Sequence, residues 1–279
     1  AITSYQKAIA LNPEFAEAHN NLGNILKTRG HLKDALKSYQ AALSINPDFT
    51  EGYYNLGVVH KELGEYETAV EHYEKAISIK PDYAEAHNNL GLTLTSLGRF
   101  EYALSHYQKA ININPDFAEA WWNLSLAQLL LGNYQDAWVN YEWRWKKDEF
   151  KIREYKQSIW DGSSLTDKTL FIYCEQGFGD AIQFIRYLKV LSKPSVTLIV
   201  ECHSSLYRLF STFPEIDILV SQDDLLPDFD VHISLMSLPR IFETTLESIP
   251  VNTAYLFHDP SISCPLVFDS ELYNIGIVW

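Results

Sequence analysis

Residues 174–184 read CEQGFGDAIQF. Two acids, Glu175 and Asp180, stand around two glycines, Gly177 and Gly179, with Gln176 between. A glycine-rich turn between a strand and a helix commonly cradles a phosphate on exposed backbone N–H groups. Here a carboxylate, Asp180, stands where the anion would go. Two roles are open to it. As an N-cap it would accept from the first-turn amides and stabilise the helix by about 0.5–2 kcal/mol. As a general base it would take a proton from an attacking hydroxyl. Dinucleotide binding fits poorly. The Gly-x-Gly-x-x-Gly fingerprint is met at Gly177 and Gly179 but has Ile182 in third place. Glu201 closes the next apolar run, as a ribose-binding acid would. Yet Glu175 and Asp180 facing a diphosphate in a partly dry cleft would cost roughly several kcal/mol.

The elements that must hold this turn alternate. Apolar, β-favouring runs at 169–174 (TLFIYC), 196–202 (VTLIVEC), 216–221 (IDILVS), 230–235 (DVHISL) and 275–279 (IGIVW) read as strands. DAIQFIRYLKVL carries Ile182, Ile185, Leu188 and Leu191 at helical spacing, and SSLYRLFSTF and SLPRIFETTL read as helices. The last begins with a Ser and a Pro, as helices often do. Alternation of this kind implies a parallel sheet with helices on its faces. In such sheets ligands lie off the carboxyl ends of the strands. The 174–180 turn leaves the first strand at that end.

A second set of residues recurs in the first half. Asn21, Asn55, Asn89 and Asn123 are 34 residues apart. An amide both donates and accepts, so such a column could grip the backbone of an extended peptide whatever its sequence. It could equally tie each repeat to the next. The same step of 34 relates Pro13, Pro47, Pro81 and Pro115, and Gly30, Gly64, Gly98 and Gly132. Leucines from Leu22, alanines from Ala35 and tyrosines from Tyr5 follow it too. This is the period of the tetratricopeptide repeat, a pair of antiparallel helices. The small residues Gly23, Gly57 and Gly91 allow close approach of the two helices. The tyrosines are expected to fill the space between neighbouring units, and the prolines to end the second helix. A leading helix (1–11), three repeats (about 16–49, 50–83 and 84–117) and an altered fourth (118–150) result. The fourth has Ser125 for Gly and Arg144 for Ala, and its second helix becomes DAWVNYEWRWKKDEF. Trp138, Trp143 and Trp145 there are expected to meet a following domain. Stacking of bases on this aromatic and cationic stretch is the weaker alternative. His19 and His87 share a column with Tyr53 and Trp121, which points to packing rather than metal binding.

The stretch 160–191, with 229–242, 249–256 and 275–279, resembles bacterial repeat proteins that carry a glycosyltransferase-like domain. That domain is similar to the heptosyltransferases, which have the two-lobed GT-B fold. The repeats resemble those of protein O-GlcNAc transferases, the Asn column included. The resemblance implies an α-solenoid over 1–150, a junction at 151–168, and over 169–279 a Rossmann-like α/β lobe, the N-terminal half of a GT-B fold. It also implies that Gly179 and Asp180 match the pair that supplies the catalytic base. Glu175, Gln176, Gly177 and Gly179 would form an acceptor-side loop. The nucleotide-sugar donor would be held by a second lobe beginning near 275–279, so no cofactor is expected on this piece, which should be inactive alone. The expected activity is metal-independent, inverting sugar transfer to a hydroxyl, with the repeats recruiting a protein or peptide. The rivals are a non-catalytic scaffold and a nucleotide-binding regulatory module.

Composition narrows the partners. The net charge is −14 and both halves are acidic, which disfavours nucleic acid and anionic bilayers. No apolar run reaches the length of a membrane span. Cys174, Cys202 and Cys264 have neither disulfide-framework nor zinc spacing. They are expected to be buried thiols of a reducing, cytoplasmic setting. The start within a helix and the end within a strand suggest a fragment of a longer protein.

Overall fold

The computed structural model describes residues 1–147, 150 and 153–250. The expected strand at 275–279, most of the 249–256 stretch and Cys264 lie outside the described residues. The chain divides into two units, 1–152 and 153–279.

The first unit is a run of antiparallel helix pairs. After α1 (Ile2–Leu11) come α2 (Ala16–Thr28) and α3 (Leu32–Ile45), then α4 (Thr50–Glu62) and α5 (Tyr66–Ile79). They are followed by α6 (Ala84–Ser96) and α7 (Phe100–Ile113), then α8 (Ala118–Leu130) and α9 (Tyr134–Tyr141). The even-numbered helices are the A helices of the repeats, and the odd-numbered ones the B helices. Each A helix ends two residues before a glycine with φ between +72° and +81°. Left-handed backbone is costly for a residue with a Cβ, so glycine reverses the chain there.

Packing within a pair rests on a tyrosine against a glycine. A Cβ built on Gly23 would lie 2.5 Å from the Tyr39 ring; at Gly57 and Gly91 it would meet Tyr73 and Tyr107 at 2.7 and 2.6 Å. The three rings are buried. This corrects the expected role of the tyrosines. They fill the inside of their own helix pair, because the absent side chain opens the space there. Tyr39 donates to Asn24 Oδ1 at 2.8 Å, and the Tyr107 hydroxyl meets Thr95 Oγ1 at 3.0 Å.

The fourth repeat departs from the pattern. Its second helix stops at Tyr141 and continues as a 3-10 turn, Glu142–Lys146. Arg144, at an alanine position, is fully buried. Its guanidinium lies 4.8 Å from the Tyr141 ring centre and 4.3 Å from that of Trp145. It bonds Glu142 Oε1 at 2.7 Å and the Tyr141 carbonyl at 3.3 Å. A guanidinium too wide for an alanine site accompanies the change from α to 3-10 winding. Trp143 stacks on Trp121 at 5.0 Å and 11°, within the repeat itself. Lys146 also sits 3.9 Å from the Trp143 ring centre, so these rings and cations already engage one another rather than a stacked base.

The second unit contains a five-stranded sheet in the order β1-β5-β2-β3-β4, every neighbouring pair parallel. The strands are β1 (Ser158–Ile159), β2 (Lys168–Tyr173), β3 (Val196–Cys202), β4 (Ile218–Ser221) and β5 (Val231–Ser234). β1 falls within the stretch read as a turn-rich junction. Two exposed residues give no apolar run to recognise. The long helix read over 180–191 is broken into α10 (Phe178–Phe184), a 3-10 turn (Ile185–Tyr187) and α11 (Leu188–Leu191). Its apolar positions still face inward: Phe184, Ile185, Leu188 and Leu191 are buried. α12 (Ser204–Phe210) follows β3. The expected final helix is only α13 (Leu238–Ile241), with Ser237 at its N-cap position and a Pro in its first turn.

The helix-pair geometry makes a direct forecast. Gly57→Ala should lower stability by about 1–3 kcal/mol through overpacking on Tyr73. Urea denaturation followed by helicity measures it, and an unchanged midpoint would show that the ring yields.

Candidate functional site

Two sites come from the residues singled out above, one in each unit. In the first, the asparagine column lies where successive A helices meet. Asn55 Nδ2 donates to Asn20 Oδ1 at 2.9 Å, and Asn123 Nδ2 to Asn88 Oδ1 at 2.9 Å. Asn89 Nδ2 donates to the Tyr54 hydroxyl at 2.8 Å. Each of these three asparagines therefore ties its repeat to the one before. Among the described residues the Asn21 amide has no partner. Asn89 Oδ1 also lies 3.5 Å from the Lys61 ammonium. Tyr54 and Tyr83 add an aromatic pair, ring centres 5.0 Å apart.

The histidine column is a corner device. The Nε2 atoms of His19 and His87 lie 3.1 and 3.0 Å from the carbonyls of Pro13 and Pro81. Trp121 Nε1 donates to Pro115 at 2.9 Å. A ring N–H thus satisfies the proline carbonyl at three of the four helix breaks. His87 also meets His106, Nδ1 to Nδ1, at 3.1 Å. Burial, then His87 and Lys109, push the His106 pKa down to about 4.

In the second unit the strand order sets the site. From β2 the chain moves outward through β3 to β4, then returns to the other side of β2 with β5. The reversal puts a topological switch point at the carboxyl ends of β2 and β5, where ligands of such sheets lie. The turn 174–177 leaves β2 at that point. Gly177 is the N-cap residue of α10, and Asp180 is in the first turn. Asp180 is therefore not the N-cap. It is half-buried, and among the described residues its carboxylate has no hydrogen-bond partner. Its Oδ2 lies 3.6 Å from where a Cβ on Gly177 would be. A Cβ on Gly179 would meet nothing within 4 Å. Glu175 and Gln176 are half-buried in the turn.

Glu201, the acid at the end of β3, is 6% exposed. Arg153 Nη1 stands 2.7 Å from its Oε1 and donates to Oε2 at 2.8 Å. The guanidinium is also 5.0 Å from the Tyr173 ring centre. Glu201 is thus committed to an internal ion pair rather than open to a ribose. Sequence reasoning missed Arg153, which lies outside every strand and helix. Cys174 and Cys202 are buried and unpaired. Burial raises both thiol pKa values, that of Cys202 to about 11, so they are poor nucleophiles.

Residues 1–30, 23–64, 59–95 and 91–132 match the family model of the TPR repeat. Residues 1–132 are an array of TPR repeats. No curated protein matches the chain. Among solved structures, MamA is similar at 28% identity, with 53% of this chain and 86% of that chain covered and a TM-score of 0.48. YrrB, described as a TPR protein with an unusual peptide-binding site, is similar at 26% identity, 53% and 76% coverage and a TM-score of 0.48. A tetratricopeptide repeat protein from Parabacteroides merdae follows at 25%, with 53% and 60% covered and a TM-score of 0.47.

The buried histidine pair gives a pH dependence. A folded-state pKa near 4 for His106, against about 6.5 unfolded, means the unfolded chain binds more protons between these values. Stability should be full above about pH 6.5 and fall as pH drops toward 4. His106→Gln should flatten the fall between pH 6.5 and 4.5. Urea midpoints across that window, identical in slope for both proteins, would contradict the assignment.

Proposed function

We propose that the repeat array recruits an extended peptide or protein, and that the sheet unit is the acceptor-side lobe of a glycosyltransferase. In this reading the sheet is a Rossmann-like GT-B lobe and Asp180 is the general base. It takes the proton of the acceptor hydroxyl as that oxygen attacks the sugar carbon and the nucleotide leaves. Glu175 and Gln176 orient the acceptor, and Gly177 and Gly179 keep the approach clear. The sugar nucleotide is a substrate held by other parts of the protein, and the setting is cytoplasmic. Asn21, Asn55, Asn89 and Asn123 line the recruiting face.

One observation carries the catalytic half. The carboxylate of Asp180 stands in the first turn of the helix that follows β2, and capping does not account for it. The two glycines beside it lack the usual structural reasons. Gly177 has φ −64°, neither has positive φ, and neither is crowded at Cβ. Open space before a carboxylate is what an approaching hydroxyl needs.

A non-catalytic scaffold is the second reading. It is favoured by the family match, which lies wholly within residues 1–132.

The test uses the full-length protein with a panel of sugar nucleotides, following nucleoside diphosphate release. Asp180→Asn should lower turnover by about 10²–10⁴-fold. Turnover that survives the change removes the base, and absence of both turnover and nucleotide binding selects the scaffold. Gly179→Ala separates structure from function further. It should leave stability unchanged or raised by about 0.5–1 kcal/mol, because alanine suits a helix better. It should nonetheless weaken acceptor use, seen as a raised KM. A loss of stability instead would assign the glycine to the fold.

A further inference from the structure

A cavity of about 360 Å³ lies in the second unit, at the amino ends of β2 and β3. Ligands of parallel sheets ordinarily lie at the other end of the strands, where the 174–180 turn is. The cavity is therefore separate from the candidate catalytic turn. Its size is that of a small-molecule site, for which about 300–1,000 Å³ is usual. The loop 160–167, which leads into β2, forms one wall, and the loop 192–195, which leads into β3, forms another.

Hydrogen bonds fix both loops. The Asp167 N–H donates to the Ser195 carbonyl at 2.7 Å and pins one loop to the other. Trp160 Nε1 donates to the Ser163 carbonyl at 2.8 Å, and the Ser163 N–H to Asp161 Oδ1 at 3.0 Å. Asp167 holds φ at +55°, uncommon backbone for a residue with a Cβ. Positions of this kind cluster at ligand clamps, and a preformed wall lowers the ordering cost of binding.

The lining combines two chemistries. Trp160, Leu165 and Val196 are buried and, with Phe242, supply apolar surface. Ser164, Thr166 and Ser195 are exposed and bring hydroxyls. Ser164 Oγ and Thr166 Oγ1 are 2.9 Å apart, so the pair keeps one hydroxyl proton to donate. The Ser195 hydroxyl has no partner among the described residues. Charge selects neither sign. Lys193 borders the cavity and forms no ion pair among the described residues, but Asp161 and Asp167 stand in the facing loop. The carboxyl ends of α11 and α13, which carry unpaired carbonyls, border it too. An anion would meet these acids and carbonyls, and a cation would meet Lys193. A neutral ligand rich in hydroxyls, with a C–H face for the aromatic surface, meets neither penalty.

We propose that this cavity binds one neutral pyranose unit. Its C–H face lies against Trp160 and Phe242, and its hydroxyls bond Ser164, Thr166, Ser195 and the Lys193 ammonium. The proposal stands without the transferase reading, because it uses neither Asp180 nor the turn that holds it.

The test is ligand-observed NMR titration of the full chain with the methyl glycosides of glucose, galactose, mannose and N-acetylglucosamine. An anionic probe, 3-phenylpropionate, is titrated beside them. At least one glycoside should bind, and more tightly than 3-phenylpropionate. Ser164→Ala/Ser195→Ala should weaken that glycoside about tenfold, as loss of two hydrogen bonds requires. Ser195→Trp should abolish its binding by filling the cavity, and Ser105→Ala, in the first unit, should leave it intact. Thermal unfolding of each variant checks folding. Binding by none of the four glycosides overturns the site. Binding that survives Ser195→Trp, or a preference for 3-phenylpropionate, overturns it as well.

Discussion

The first unit depends on the contact between an absent side chain and an aromatic ring. Gly23, Gly57 and Gly91 hold tyrosine rings at distances a Cβ would not permit. A buried tyrosine contributes a large apolar area, and here it does so in the middle of every helix pair. The ring also fixes the rotation of the two helices about their axes. That rotation sets which residues point at the next repeat. The asparagine contacts between A helices inherit their phase from it. Ser125 replaces the glycine in the fourth repeat, and there the B helix is short and gives way to a 3-10 turn. The regular pairing and the regular glycine end together.

The repeats were legible because packing demands the same residue type at the same place in each unit. A step of 34 exposes such demands, and the positive-φ glycines and proline corners fell where the spacing puts them. The same method could not say what the asparagines do. Packing and ligand binding both repeat with the unit, so periodicity carries no information about which is at work. The bonds themselves hid from the search. Asn55 reaches Asn20 and Asn123 reaches Asn88, a step of 35, into a column that also contains Tyr54 and Trp122. A mixed column does not stand out, yet Asn20, Tyr54 and Asn88 sit at the same contact. The histidine column is the opposite case. His19, His87 and Trp121 look unlike, but a ring N–H to a proline carbonyl is common to all three.

In the second unit the central strands were legible as apolar runs because both faces of a parallel sheet are covered. β3 falls at 196–202 as its composition suggests. β1 was not legible, since two exposed residues carry no burial signal and their pairing partner lies more than seventy residues away. The break between α10 and α11 was hidden for another reason. Helical and 3-10 turns bury nearly the same apolar positions over so short a span. The ion pair of Arg153 with Glu201 joins residues far apart in sequence, and nothing local announces it.

The glycines of this chain sort by physical cause, and the sorting bears on the catalytic reading. Those at 30, 64, 98 and 132 are demanded by positive φ. Those at 23, 57 and 91 are demanded by a ring in contact. Gly177 and Gly179 satisfy neither condition, and Gly179 lies inside a helix, where glycine is disfavoured. Neither positive φ nor crowding at Cβ explains these two glycines, which the catalytic reading assigns to substrate access. The adjoining carboxylate of Asp180 points the same way. It stands beyond the N-cap position and takes no hydrogen bond from the helix it belongs to. In the proposed reading, open backbone at Gly179 on one side and the carboxylate of Asp180 on the other are what a hydroxyl-bearing substrate would need from this turn.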